Sequence, residues 1–414
     1  MATLFSPAPT CAVPPVADPA GPVQKGALAG IAVLGAALVA YVGIAHGGKQ
    51  AALLALGVGL GVALFHSRFG FTSAWRQLVA VGNGTGVRAH AVLLGATATL
   101  FALVIGTGFG LFGTTPAPTA GPLGIGLVLG AFLFGIGMQL GGACASGTLF
   151  AIGGGQSTIV FTLFGFIAGS VLYTAGFPLV ADLPALPAFV LADHIGWFGS
   201  WAVTIAALGL IVLASRWVQA RRNPPPVDVP PTARGAARIL RGSWPLWVGA
   251  LVLAVLGAGV LVVSGGAWGV TSAFALWGAK ALQVFGLHPE TWAFWQQPAQ
   301  AKMLAGPILA DKNSLTDIGI MIGAAVAATA GGVWVLRGSI AWQTALISVG
   351  GGILLGIGAR LAAGCNIGAY LAGIASGSLS GWVWGLAALG GTWVGLVARR
   401  ALGMGVPVPT DSVC

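Results

Sequence analysis

The chain has 414 residues, of which 57% are hydrophobic and only 6% are charged, with a mean hydropathy of +0.94. Soluble domains carry about 25% charged residues, so no soluble fold of this size could cover its surface with so few. The bilayer has to be the solvent. The net charge of +10 does not point to nucleic acid, because the basic residues sit at the ends of apolar segments, where membrane topology places them.

Along the chain, the Pro-rich start up to Pro22 lacks a basic segment followed by an apolar one. It reads as a disordered cytoplasmic tail over 1–25, not as a cleavable signal. Ten long apolar helices follow, at about 26–45, 50–66, 91–113, 121–140, 156–177, 196–215, 246–264, 318–336, 342–361 and 379–398. Four Gly-rich pieces remain, near 68–80, 142–155, 267–286 and 363–377. They are too short or too Gly-broken for a span of roughly 20 residues, and each reads as a re-entrant or half-helical segment. The expected class is therefore an all-α integral membrane protein. It has a first membrane half over 26–215, an Arg- and Pro-rich cytoplasmic linker over 216–245, a second half over 246–400 and a tail over 401–414.

Lys and Arg set the expected orientation. The linker carries Arg216, Arg221, Arg222, Arg234, Arg238 and Arg241. Counting spans outward from it puts Lys25, Arg68, Arg76, Arg88, Arg337, Arg399 and Arg400 on the same, cytoplasmic side. Lys49, Lys302 and Lys312 fall opposite, and Lys280 and Arg360 fall within the membrane.

The two halves repeat each other. FLFGIGMQLGGACASGTLFAIGGGQS (132–157) aligns without gaps on ILLGIGARLAAGCNIGAYLAGIASGS (353–378), and FGFTSA (69–74) aligns on WGVTSA (268–273). Each repeat is a helix, a short T-S-A piece, two helices, a short Cys piece and a helix. The extra helix 196–215 between them gives inverted topology, an arrangement many transporters use, with broken helices meeting near the midplane.

Chemistry concentrates in the short pieces. Cys144 and Cys365 follow small-residue runs that let backbone approach a ligand. What comes after each can form a short helix whose first N–H groups lack partners and favour an anion. A thiol there adds a weak donor and a polarisable sulfur, which suits a soft sulfur anion. The bland reading of two small buried thiols weakens because they occupy equivalent repeat positions. Thr72, Ser73, Thr271 and Ser272 offer hydroxyls to a ligand or to their own helix starts. Arg360 precedes Cys365 by five residues and Gln139 holds the equivalent place before Cys144. Arg360 and Lys280, costly within a membrane and usually functional there, can attract an anion. No Asp or Glu lies inside a long helix except Asp317 at the edge of one, so a carboxylate relay has no obvious carrier. No cofactor, metal cluster or nucleotide motif appears, and an enzyme is not expected.

LGGACASGT, LAAGCNIGAY, FHSRFGFTSAWRQL and GGAWGVTSAFALWGAK together resemble the YeeE/YedE sulfur-transport family over roughly residues 50–400. The resemblance implies an inner-membrane protein that takes up thiosulfate or a related compound along a line of Cys thiols. A soluble sulfur-carrier protein would receive it on the cytoplasmic side. Cys144 and Cys365 match two of those thiols. The third is expected in the pattern S-R-F-C-F, where this chain has Gly70 in Ser67-Arg68-Phe69-Gly70-Phe71. The alternatives are a permease for another small anion or a selenium compound, and a membrane dithiol redox protein. Against the last stands the lack of a C-x-x-C pair.

Overall fold

A computed structural model describes residues 21–224, 235–336 and 340–408. Most of the 1–25 tail, the centre of the 216–245 linker with Arg234, Arg337, and the last residues with Cys414 lie outside the described residues. Among the described residues, nine apolar helical stretches are long enough to cross a membrane. They contain α1 (Lys25–His46), α2 (Gly48–Ser67) running on to α3 (Phe71–Val81), α4 (Thr85–Thr107), α5 (Ile125–Gly141) running on to α6 (Ala145–Gly153), and α8 (Ala192–Arg222). The second half supplies α10 (Leu246–Ser264), α13 (Lys312–Ala330), α14 (Trp342–Leu361) running on to α15 (Ala372–Ala375), and α16 (Leu379–Ala401). The 17-residue α7 (Ile159–Ala175) is a tenth apolar helix. Short α9 (Ala237–Arg241), α11 (Thr271–Val284) and α12 (Pro298–Ala305) complete the set.

Two helices sit six residues earlier than hydropathy alone places them. α13 starts at Lys312 because the Asp311 side chain caps it, accepting from the Ser314 N–H at 2.7 Å. α4 starts at Thr85, whose N–H is taken by Asn83 Oδ1 at 3.0 Å. Capping satisfies otherwise orphaned amides, and it overrides the apolar pattern by almost two turns. α8 extends beyond the expected 196–215 at both ends and kinks at Gly196, where φ is 71°.

The dominant helix pairs join one repeat to the other. α2 lies on α13 as α4 lies on α10, and α7 lies on α14 as α5 lies on α16. These exchanges follow from the correspondence α2 with α10, α4 with α13, α5 with α14 and α7 with α16. Glycine makes them close: a Cβ at Gly61 would fall 2.2 Å from the Ile320 carbonyl oxygen, and one at Gly356 would fall 2.4 Å from that of Phe166. Such small-residue contacts let helix backbones touch where lipid offers no hydrophobic drive.

The loops sort onto two faces by their own hydrogen bonds. Leu111 reaches Val262, Ala117 reaches Gly265, and Leu191 reaches Gly377 on one face. On the other, Gln24 reaches Thr329 and Trp244 reaches His66, while Arg88 Nη1 donates to Gln219 Oε1 at 2.8 Å. The second face carries Arg68, Arg88, Arg222 and Arg241. The repeats have inverted topology, since α2, α4, the α5–α6 unit, α7 and α8 make five crossings before α10 begins. α3 and α11 do not cross. α3 ends at Gly82 against Arg222 on the Arg-bearing face, and α11 is bracketed by Gly265 and Lys312 on the other.

Candidate functional site

The α5–α6 and α14–α15 units are broken helices, and each break ends on a cysteine. α5 stops at Gly142 with φ 83°, and Cys144 takes an extended conformation (φ −85°, ψ −174°) as N-cap of α6. α14 stops through Ala363 (φ 56°) and Gly364 (φ 153°). Cys365 is again extended (φ −103°, ψ −167°), ahead of a π-helical turn, Asn366–Leu371, that runs into α15. A left-handed alanine is sterically disfavoured, so Ala363 marks backbone strain at this break. Both thiols are free and buried, and the two sulfurs lie within electrostatic reach of each other.

Around Cys144 the polar groups are largely used, although the buried Gln139 Nε2 has no partner. Its Sγ accepts from the Gly147 N–H at 3.4 Å and lies 3.6 Å from Ser146 Oγ. The backbone amide of Phe71, first residue of α3, also lies against this sulfur. Two helix starts thus converge on one thiol, the geometry that favours a partial negative charge. Thr148 Oγ1 donates to the Cys144 carbonyl at 2.8 Å.

Around Cys365 they are not. The amides of Ile367 and Gly368 lie near its sulfur, and its carbonyl accepts from Ala369 and Tyr370. Asn366, fully buried, has neither side-chain oxygen nor nitrogen hydrogen-bonded. Arg360 Nη2 donates to Thr271 Oγ1 at 2.7 Å, but its buried Nε has no partner. Tyr173 and Cys365 both lie within electrostatic reach of this guanidinium.

The break in α14 also forms the floor of a cleft of about 240 Å³. Its walls include Thr119, Gly121 and Val180, from loops of the face opposite the Arg-bearing one, with Tyr173 on the side. Its floor includes Ala362, Ala363, Gly368 and Ala369. The Cys365 half-helix lines this cleft through Gly368, Ala369 and Gly373, and the Cys144 half-helix contributes none of its lining.

The remaining sequence-selected residues divide. Thr271 joins the Arg360 site, and Ser272 Oγ accepts a short hydrogen bond from Asn313 Nδ2. Ser73 Oγ donates to the Gly70 carbonyl at 3.2 Å, which stabilises its own helix start. Thr72 Oγ1 is buried with no partner. Gly70 precedes Phe71, in extended backbone (φ −127°, ψ 124°). Lys280 is half-buried nine residues along α11 from Thr271, about 13 Å by helical rise, and the structure does not bring it to the cysteines.

Three features escaped the sequence. Arg76 Nε donates to Gln139 Oε1 at 2.9 Å, so the repeat-1 counterpart of Arg360 borrows a cation from α3. Asn366 could have been singled out, because it replaces Ala145 immediately after the equivalent thiol. Asp317 is not at a helix edge: with α13 starting at Lys312 it lies inside the helix, fully buried.

Comparisons with known proteins agree with this architecture. A family model described as "Sulphur transport" matches residues 66–394. The "Thiosulfate transporter TsuA" of Spirochaeta thermophila is 27% identical over 362 residues, 82% of this chain and 96% of that protein. TsuA of Escherichia coli is 25% identical over 82% of this chain and 92% of its own length. "Probable transporter YedE" of Salmonella typhimurium is 34% identical over 158 residues, 37% of this chain, and the match spans only 38% of YedE's length. The chain is a multi-pass membrane protein and belongs to the sulfur-transport family.

Proposed function

We propose that this chain carries thiosulfate, or a closely related sulfur oxoanion, inward across the bacterial inner membrane by direct contact with the Cys365 and then the Cys144 thiol. The observation that carries the reading is the floor of the cleft. There the break at Leu361–Ala363 and the Gly368–Ala369 turn line an accessible cleft, and the same stretch of chain carries the buried Cys365 thiol and, just before Leu361, the half-buried Arg360 with an unused N–H. An anion in such a place gains charge-assisted hydrogen bonds and the helix-end field. The terminal sulfur of thiosulfate is a soft acceptor for S–H, which a hydrated hard anion does not match.

From Cys365 the anion passes to Cys144, where the amides of Gly147 and Phe71 replace those of Ile367 and Gly368. The inverted symmetry makes the two stations equivalent in kind while facing opposite sides. The Arg-bearing face is then cytoplasmic, where a soluble sulfur-carrier protein would collect the substrate. No step needs a cofactor.

Uptake of radiolabelled thiosulfate into proteoliposomes tests the proposal. Wild-type protein should fill the vesicles, and Cys144→Ala and Cys365→Ala should not, while eluting as folded protein. Undiminished flux in both variants would remove the thiols from the path.

A further inference from the structure

Asp317 lies wholly inside the protein, in the sixth position of α13, and neither carboxyl oxygen accepts a hydrogen bond. It sits one turn before Met321, whose carbonyl approaches Gly153 of α6. That turn of α13 therefore faces the half-helix Cys144 caps. Cys365, on the other half-helix, is within its electrostatic reach. The carboxyl thus lies on a helix packed against α6 and within electrostatic reach of Cys365, yet plays no part in the anion path described so far.

The groups around it leave it uncompensated. Cys365 and Asp311 are titratable groups coupled to it, and neither is a cation, while Lys312, five residues before it on α13, spends its Nζ on the Ala267 carbonyl. α2 brings Lys49 and His66 only at its two ends, and α6 brings only Cys144 at its cap. α11 contributes Lys280, α1 contributes Lys25, Tyr41 and His46, and α9 contributes Arg238 and Arg241 on the Arg-bearing face. Ionised carboxylates in membrane interiors pair with a cation or with donors. Asp317 has no hydrogen-bond donor. Without a proton it would also repel an anion at the thiols.

We infer that Asp317 is a proton-carrying site, protonated whenever the anion occupies the Cys365–Cys144 path, so that a proton crosses with the anion. The inference rests on the proposed thiosulfate path. The proton adds to the Asp317 carboxylate from the side of the cleft, and the neutral acid lets the anion sit beside it. When the path opens to the Arg-bearing face, water reaches the carboxyl, the anion leaves and the proton follows. Occupancy by anion and by proton then favour each other by the same factor, as linkage requires. A carboxylate that empties its proton only on one side ties anion movement to the proton gradient.

Thiosulfate uptake into proteoliposomes loaded with a pH-sensitive dye tests this. Thiosulfate influx through the wild-type protein should acidify the lumen, with choline replacing sodium without effect. Asp317→Asn mimics the protonated acid, so the protein should fold. It should still exchange labelled for unlabelled thiosulfate, but gradient-driven accumulation and lumen acidification should each fall at least tenfold. Asp317→Glu should restore part of both. Infrared spectroscopy gives a readout independent of substrate: the carbonyl stretch of a protonated carboxyl should be present at neutral pH in the wild type and missing in Asp317→Asn. Thiosulfate influx without acidification, an unchanged Asp317→Asn, flux that requires sodium, or an ionised Asp317 at neutral pH each overturn the proposal while leaving the thiosulfate path standing. Wild-type protein that moves no thiosulfate overturns the path itself, and the coupling with it.

Discussion

The two helix breaks share a sequence pattern and a backbone shape, yet they are finished differently. At Cys144 the sulfur takes the Gly147 N–H, Ser146 stands next to it, and Gln139 binds Arg76. At Cys365 a buried Asn366 and one N–H of Arg360 stay unused, and the cleft opens above. Unpaired buried polar groups are expensive, so a protein retains them where something else completes them. Beside Cys144 the unpartnered atoms are Gln139 Nε2 and Thr72 Oγ1, and beside Cys365 they are both side-chain atoms of Asn366 and Arg360 Nε. The difference lies in two substitutions between repeats, Asn366 for Ala145 and Arg360 for Gln139, and in a π-helical turn where the other repeat has an α-helical one.

The largest test of this contrast removes the thiols one at a time. Cys365→Ala and Cys144→Ala should each abolish thiosulfate flux, but only Cys365→Ala should also weaken binding from the cleft side. Equilibrium binding to detergent-solubilised protein separates the two. Either variant should cost about 1 kcal/mol in stability, the typical loss for a single substitution, since a buried thiol packs like a small hydrophobe. Binding lost equally in both variants would mean that the stations are not in sequence. Cys→Ser at each position keeps the size but hardens the donor, and should transport far less than wild type.

Next comes the cation. Arg360→Gln places in repeat 2 the residue that repeat 1 already has. A hydrogen bond to a charged group is worth about 1.5–3 kcal/mol, so the KM for thiosulfate should rise between roughly tenfold and a hundredfold. Thr271 loses its donor in this variant, and a drop in Tm of a few degrees is expected. Unchanged KM would show that Arg360 only holds α11 in place. A smaller effect is expected at Asn366. Asn366→Ala copies Ala145, removes two unsatisfied atoms, and should stabilise the empty protein slightly while raising KM severalfold, consistent with a net hydrogen bond of about 1 kcal/mol. A raised Tm paired with a raised KM is the signature sought, and a lowered Tm would contradict it.

How much of this could be read from the chain depends on what each feature rests on. The spans, the repeat and the helix breaks at the two cysteines were legible, because hydropathy and the G-I-G and Cys spacing are local patterns. The helix starts at Thr85 and Lys312 were not, because Asn83 and Asp311 cap them through single side-chain bonds that hydropathy averages away. That error put Asp317 at an edge, and so hid the one acidic residue buried within a long described helix. The pairing of Arg76 with Gln139 was out of reach, since it joins residues 63 apart across two helices. The reading of Lys280 as a partner for the anion depended on its membrane depth alone, and depth does not fix which way along α11 a residue lies from the site.

The smallest expected effect concerns Gly70, where the family resemblance calls for a third thiol. Nothing in the backbone demands glycine: φ −127° and ψ 124° suit any residue, outside the left-handed region that favours Gly. A Cβ there would lie 2.8 Å from Ser73 Oγ, with its next neighbours at 3.9 and 4.0 Å. Only the Ser73 hydroxyl has to move, giving up its bond to the Gly70 carbonyl at a cost of about 1 kcal/mol. Gly70→Cys should therefore fold. Its thiol would stand one residue before Phe71, whose amide lies against Cys144, and so on the side of that station facing away from the cleft. If hand-over from Cys144 limits transport, Gly70→Cys should raise kcat severalfold with KM unchanged, because the cleft-side station is untouched. Gly70→Ser controls for volume and for the displaced Ser73, and should show no gain. An equal gain in Ser and Cys would assign the effect to the helix start, and no gain in either would place the slow step at Cys365, on the cleft side of the pair.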